Sequence, residues 1–319
     1  MAIRNASNNN DLLVQVAQLY YMENRSQAEI AEVIHVSRPQ VSKLLMKARE
    51  MGIVTITVTP VSDRFRNYET MLCHLYSIES CAVVPESAIP TETEQSIVES
   101  GVEHVQKLFA NCSTVGVGWG SMINGICNNA DIIEETNPRA HVVPLIGSLN
   151  SPISGYNTNE LVRKMGLMLG FTPNYLYAPA FTQTKNDQVQ FRETGNYRDI
   201  ASHWEHLDAV VFRIKPYPCV PDLATAFRYG NALYKNHAVG VVLSNFFDIN
   251  GKTISGEYDY SISIPNDQLR RCPIRLGICA NTTTPESVVG ALRSGMVTHL
   301  ILSERMAKDV LKLSGVAPF

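Results

Sequence analysis

Residues 26–52 read SQAEIAEVIHVSRPQVSKLLMKAREMG, and this one stretch holds two helix starts. Ser26 is followed three residues on by Glu29, and Ser37 by Gln40. In such pairs the side chains and the cap backbone satisfy each other's free N–H groups. Pro39 falls inside the first turn of the second helix, where its missing N–H costs nothing. Two capped starts this close together force a tight turn at His35 and Val36. That position favours a left-handed backbone, which histidine tolerates better than most residues. Upstream, Leu13, Val16, Ala17 and Tyr20 recur at helical spacing and predict a first helix over residues 11–21.

The third helix predicted here buries Val41, Leu44, Leu45 and Ala48 on one side. Gln40, Lys43 and Lys47 are left on another, with Arg38 and Ser42 flanking them. The whole arrangement reads as an all-α helix-turn-helix. Arg38, Gln40 and Ser42 are placed to reach base edges in a major groove, and Lys43, Lys47 and Arg49 suit phosphates. Ser26, Gln27, Ser37 and Pro39 complete the candidate DNA-binding set. A solvated helix face with stray lysines is the duller reading; a charge stripe alone would not decide against it, and the doubled caps at this spacing favour the reader.

The chain has 319 residues, nearly half hydrophobic and under a fifth charged, with a formal net charge of -3. This is the profile of a folded protein rather than of a general polycation for nucleic acid, so DNA contact must come from a local patch. The length fits a small module over residues 1–59 and one larger domain over residues 60–319. No apolar run is long enough to span a membrane, and MAIRNASNNNDLL has no signal-peptide core, so a cytoplasmic location is expected. The seven cysteines are scattered, with neither a C-x-x-C pair nor zinc-like spacing.

After IVTITVTP, a β-rich exit over residues 53–60, comes an amphipathic connecting helix carrying Phe65, Tyr68, Leu72 and Leu75. Short apolar runs then alternate with helical patterns: CAVV and residues 93–110, STVGVGW and residues 122–130, HVVPL and residues 159–169. NYLYA, LDAVVF, IRLGIC and THLIL continue the series. Such alternation predicts a mostly parallel sheet with helices on both faces. Its ligand would lie at the carboxyl ends of the strands. The most informative strand end is TVGVGWGSM, residues 114–122, where glycines let backbone N–H groups approach a ligand beside a helix start.

The stretch LYYMENRSQAEIAEVIHVSRPQVSKLLMKAREMGIV, residues 19–54, is similar to the N-terminal module of SorC-family transcriptional regulators. VVPLIGSLNS, YNTNELVRK, YAPAF and HAVGVVLSNFFDINGK resemble motifs of that family's ligand domain. The resemblance implies a Rossmann-like α/β effector domain related to sugar-phosphate isomerases. It also implies assembly as dimers or tetramers on double-stranded operator DNA, and control by a carbohydrate or sugar-phosphate effector. The pocket it implies comprises Gly118, Trp119, Gly120, Ser121, Gly147, Ser148, Asn157, Asn159, Arg163, Phe181, Asn281 and Glu286. His237, just ahead of Ala238-Val239-Gly240, is a candidate hydrogen-bond donor to the ligand. Simpler roles stand beside these: Asn157 and Asn159 as helix caps, Arg163 on a solvated face, Phe181 and Phe247 as core, and Asp248 as a turn residue.

The chain departs from the family pattern where phosphate-sensing members commonly carry basic residues. Ile146 and Pro285 stand at those places, Val241 replaces a frequent acidic residue, and Ser121 and Met122 replace paired threonines. A phosphate in a partly buried pocket needs cationic partners, so a sugar, a polyol or a lightly charged derivative is expected, unless Arg163 or Lys164 supplies the charge. The rival class is an isomerase-like enzyme. No nucleophile, base and orienting group can be assembled from the sequence, and His203 and His206 in SHWEHLD lack a third metal ligand. No catalytic residue, metal or cofactor is therefore expected. The reading is a regulator of a carbohydrate-utilisation operon, a repressor or an activator.

Overall fold

The side chains of Leu13, Val16, Ile30, Val41 and Leu45 are withdrawn from water together, as the helical spacing requires. In the computed structural model, residues 3–54, 61–149, 155, 157–218 and 228–317 are described, without the side chains of residues 3–10 and 61–63. The chain divides into two compact units, Met1–Pro60 and Val61–Phe319. The first holds α1 (Ile3–Tyr21), α2 (Gln27–Val33) and α3 (Arg38–Glu50). At α2 the cap is reciprocal: Ser26 N–H donates to Glu29 Oε2 at 2.8 Å, and Glu29 N–H donates to Ser26 Oγ at 3.3 Å. His35 adopts the left-handed conformation expected of it, with φ of 54°. The Val36 N–H then closes the turn on the Ala31 carbonyl at 3.0 Å.

Two details of this unit differ from the sequence reading. The first helix starts earlier, at Ile3, and Leu44 is half-buried because it lies at the margin of a small cluster with Leu13, Ala17 and Ala48. The expected β-rich exit falls mostly on residues 55–60, outside the described residues. Ile53 and Val54 turn back, both N–H groups donating to the Ala48 carbonyl.

The second unit runs α4 (Val61–Tyr76), β1 (Ser80–Val84), α5 (Pro90–Phe109), β2 (Thr114–Val117), α6 (Ser121–Asn128), β3 (Asn137–Pro144), α7 (Thr158–Leu169) and β4 (Phe171–Pro173). It continues with α8 (Lys185–Arg192), α9 (Gly195–Trp204), β5 (Ala209–Pro216), α10 (Ala232–Lys235), β6 (Ala238–Val242), β7 (Asn245–Asp248) and β8 (Thr253–Ile254). Last come α11 (Asn266–Arg271), β9 (Ile274–Cys279), α12 (Pro285–Arg293), β10 (His299–Ser303) and α13 (Glu304–Leu313). Seven strands pair in parallel in the order β1-β10-β9-β5-β2-β3-β4. The apolar runs of β2, β5, β9 and β10 are buried because helices cover a parallel sheet on both faces. β5 projects beyond its neighbours, and its last residues carry an antiparallel extension through β6, β7 and β8. As expected, Asp248 shapes a turn, its carboxylate accepting from the N–H groups of Asn250 and Lys252 at 2.9 Å each.

The order of the strands decides where a ligand fits. From β2 the chain steps outward through β3 to β4, and from β5 it steps the other way through β9 to β10. β2 and β5 therefore flank the point where the winding reverses, and a crevice is expected beyond their carboxyl ends. One expected strand is absent. The chain after Phe171–Pro173 leaves the sheet at NYLYA because side-chain amides capture its backbone. Asn159 takes both the N–H and the carbonyl of Leu176, at 3.0 and 3.1 Å, and Asn196 bonds Tyr175 and Tyr177.

His203 is set against His141 rather than paired with His206: the two rings lie 4.9 Å apart. The Asn174 amide donates to the Thr172 carbonyl at 3.1 Å and lies at the same distance from His141 Nδ1. Burial first, and His141 second, hold His203 below the ordinary imidazole value, against the opposing pull of Asp199. A histidine depressed in the native state takes up its proton more readily when unfolded. Its stabilisation is thus complete above about pH 6.5 and is lost as the pH falls toward the native value. Urea midpoints are expected to fall between about pH 7 and pH 5. The fall should be shallower in His203→Gln, and an equal slope in both chains would refute the assignment.

Candidate functional site

At the winding reversal, Gly118 N–H donates to the Val211 carbonyl at 2.8 Å, tying the end of β2 to β5. A side chain at Gly118 would meet Leu243 and Phe212, each at 3.0 Å, so glycine allows this close passage. Gly120 then turns the chain into α6 with φ of 127°, a conformation open to glycine, and its N–H donates to the Gly155 carbonyl at 2.7 Å. Ser121 begins α6 and is exposed. Trp119 is buried, 5.9 Å from the Phe181 ring, so it offers no free face to a sugar. A second wall is zipped from three segments. Gly147 N–H donates to Ile262, Ser148 N–H to Ala178, and Ser148 Oγ shares a 2.8 Å hydrogen bond with Thr158 Oγ1.

The other expected pocket residues have partners within the chain or stand exposed. Asn157 caps α7, accepting from Glu160 N–H at 3.3 Å, and Asn159 is fully engaged with Leu176 as described. Arg163 forms a two-pronged ion pair with Glu160, at 2.9 and 2.8 Å, on the solvated face of α7. Lys164 bridges Asn124 and Asn128 at 2.9 and 2.8 Å, so its ammonium is tied to α6. His237 is exposed in a left-handed turn with φ of 51°. Asn281 donates to the Pro90 carbonyl, and Glu286 is exposed in the first turn of α12. The Gly118–Ser121 turn and Phe181 do come together, with the Gly147–Ser148 strip beside Phe181 through the Ser148–Pro179 bridge.

What brings charge to the crevice is Arg213, which the sequence reading passed over. The apolar run LDAVVF ends immediately before it. Its guanidinium donates from Nη1 to Ser121 Oγ at 3.3 Å and from Nη2 to Thr282 Oγ1 at 2.5 Å. Further along, Arg228 lies 3.6 Å over the Phe181 ring and pairs with Asp259 at 3.0 Å. Tyr229 donates its hydroxyl to Asp259 at 2.7 Å, and burial together with that carboxylate pushes the phenol well above its ordinary range. The signal available in the sequence was an arginine that interrupts an apolar run, AVVF, two residues before Lys215 in the same strand. Among the described residues, no group of three or more His, Cys, Asp or Glu side chains is placed to hold a metal ion. Nor is any described helix long and apolar enough to cross a membrane.

On the first unit, Arg38, Ser42, Lys43 and Lys47 of α3 are exposed, as are Ser26, Ser37 and Pro39, while Gln27 is half-buried. Gln40 has a different standing. Its Oε1 accepts from Ser37 N–H at 2.9 Å and from the Ser37 hydroxyl at 3.0 Å, so the glutamine completes the cap that Ser37 begins at the start of α3. Gln40→Ala is expected to lower stability by about 1 kcal/mol, the usual worth of a helix cap. Gln40→Glu keeps an acceptor for both donors and should retain it. Equal thermal midpoints for the parent and Gln40→Ala would show that the cap is idle.

Comparison with known proteins agrees with this architecture. Residues 62–312 match the family model described as "Putative sugar-binding domain". The Sorbitol operon regulator of Klebsiella pneumoniae is 26% identical over 311 residues, covering 94% of this chain and 98% of that protein. The Deoxyribonucleoside regulator of Bacillus subtilis is 26% identical over 312 residues, covering 94% of this chain and 97% of that protein. The crystal structure of the full-length regulator SorC from Klebsiella pneumoniae superposes with a TM-score of 0.70 at 24% identity, over 94% of this chain and 98% of that one, and shares the fold. With most of its length under the family model, the chain belongs to the SorC family of sugar-binding transcriptional regulators.

Proposed function

We propose that the chain controls transcription by binding operator DNA through α2 and α3, and that a carbohydrate in the crevice beyond β2 and β5 sets that binding. The observation that carries the reading is α3 itself: two capped helices joined by a turn, with Arg38, Ser42, Lys43 and Lys47 all exposed on the second. Such an arrangement suits a helix-turn-helix that lays its second helix in the major groove. One such helix makes few contacts, so dimers or tetramers spaced along the groove follow. The names of the relatives, a sorbitol operon regulator and a deoxyribonucleoside regulator, favour an operon for carbohydrate use. Effector binding shifts the balance between two states of the assembly by its differential affinity for them.

Base reading falls to Arg38 and Ser42. A bidentate glutamine–adenine pair needs the amide oxygen as an acceptor, and in Gln40 that oxygen is occupied by Ser37. Selection of preferred duplexes from a random pool tests the division of roles. Arg38→Ala should relax preference at one position, worth about 1–3 kcal/mol of discrimination. Lys47→Ala should weaken all sequences alike. Identical profiles for the two variants would show the roles to be misassigned.

A further inference from the structure

The helix α4, which the chain enters directly from the first unit, is fastened to the second unit along its length. Tyr68 and Leu72 are fully buried, the Glu69 carboxylate accepts from Val83 N–H of the edge strand β1 at 2.9 Å, and the Tyr76 hydroxyl shares a hydrogen bond with Ser314. The start of α4 is held differently. Arg64 Nη2 lies 3.1 Å from each oxygen of Glu304, and Glu304, buried in the first turn of α13, also takes Lys308 Nζ at 2.7 Å. One carboxylate thus serves two cations, one from α4 and one from the next turn of its own helix.

Of these two contacts, the one to Arg64 is built to let go. Breaking a buried ion pair is ordinarily costly because it strands a charge. Here Glu304 would keep Lys308 and the positive end of α13, and the Arg64 side chain, 39% exposed, has water beside it. While the pair is closed, Arg64 Nε is buried without a partner, a donor that opening would hydrate. The position of the pair matters as much as its chemistry. Val84 is paired with Ser303 at the carboxyl ends of β1 and β10, and Glu304 follows directly, so the contact lies on the sheet edge where the effector is proposed to sit. Contacts run along that edge: Asn281, in the loop after β9, donates to the Pro90 carbonyl, and Glu86, ahead of α5, stands 3.8 Å from Arg305.

We propose that Arg64 and Glu304 form a releasable latch that, closed, holds the first turns of α4 against α13 and, open, frees them, and that the two positions give the reader different grips on DNA. The link to DNA rests on the regulator reading; the latch itself does not.

Hydrogen–deuterium exchange of the full chain, read on the amides of residues 65–70, reports the opening, with residues 73–76 at the far end of α4 as the internal control. Arg64→Met removes the latch and should speed exchange of residues 65–70 about threefold, the worth of a partly exposed ion pair. Lys308→Met removes the other partner of Glu304 while keeping a stem over the Tyr68 ring. The carboxylate then depends on Arg64, and exchange should slow by a similar factor. Arg64→Lys keeps a cation and should stay near the parent. Urea unfolding checks that each variant is folded. Affinity for the preferred duplex, measured on the same chains, should move in opposite directions in Arg64→Met and Lys308→Met.

Unchanged exchange in both variants, a shift of the same sign in both, or an equal change at residues 73–76 would each overturn the latch. Opposite exchange shifts with one duplex affinity throughout would overturn its link to DNA. A parent chain that binds no duplex counts against the regulator reading, and the exchange result still decides the latch.

Discussion

Gly147→Ala is expected to destabilise the sugar-binding domain by about 3 kcal/mol, read from urea unfolding of the intact chain. A β-carbon at Gly147 would lie 2.4 Å from the Pro179 carbonyl oxygen, 2.5 Å from its carbon and 2.7 Å from the Ala178 oxygen. All three are backbone atoms, so no side chain can swing aside. The backbone itself is zipped in place by Gly147 N–H to Ile262, Ser148 N–H to Ala178, and Ala180 N–H to Ser148, at 2.8, 3.0 and 2.9 Å. Relief of the overlap must break part of that zipper, and with it the wall of the crevice. Gly195 is the control: a β-carbon there meets nothing within 4 Å, and it opens α9. Gly195→Ala should hold or raise stability by up to about 1 kcal/mol through the unfolded chain. Similar midpoints for the two variants would show that the Gly147 strip yields freely.

Arg228→Leu should cost about 3 kcal/mol, for an electrostatic reason. The Arg228 side chain is 5% exposed and its partner Asp259 is 19% exposed, so removing the cation strands a carboxylate largely out of water. The Phe181 face that the guanidinium covers is uncovered in the same step. Tyr229, still donating to Asp259, moderates the loss without supplying charge. Removing both charges in Arg228→Leu/Asp259→Leu should recover most of the stability, because a buried pair is expensive to break and cheap to replace. A double variant as unstable as the sum of the singles would show that packing against Phe181, rather than pairing, is what Arg228 provides.

The parts legible from sequence were those set by local chemistry. Ser26 with Glu29 and Ser37 with Gln40 lie three residues apart, and the bonds that mark a helix start depend on little else. Strand identity was legible where a run is buried on both faces, as in THLIL and IRLGIC. NYLYA has the same composition but loses its backbone groups to Asn159 and Asn196, which approach it only in the folded chain. Gln40 was legible both as the partner of Ser37 and as a residue of the outer flank of α3, and spacing alone could not choose between capping and base contact. Arg213 stayed hidden for a third reason. An arginine at the end of an apolar run reads as the edge of a strand, and only the reversal of winding between β2 and β5 brings Ser121 and Thr282 to it. His203 and His206 show the converse, since their spacing suggested a shared helix face, whereas α9 ends at Trp204 and the fold sets His203 against His141.

Whether α3 enters a duplex groove is read from the salt dependence of duplex binding by the intact chain. The logarithm of affinity should fall linearly with the logarithm of salt concentration. The slope should drop by about two when Lys43 and Lys47 are both changed to alanine, since each neutralised phosphate contributes close to one. An intact, folded chain that ignores duplex DNA at low salt, or a slope untouched by the double change, would contradict it.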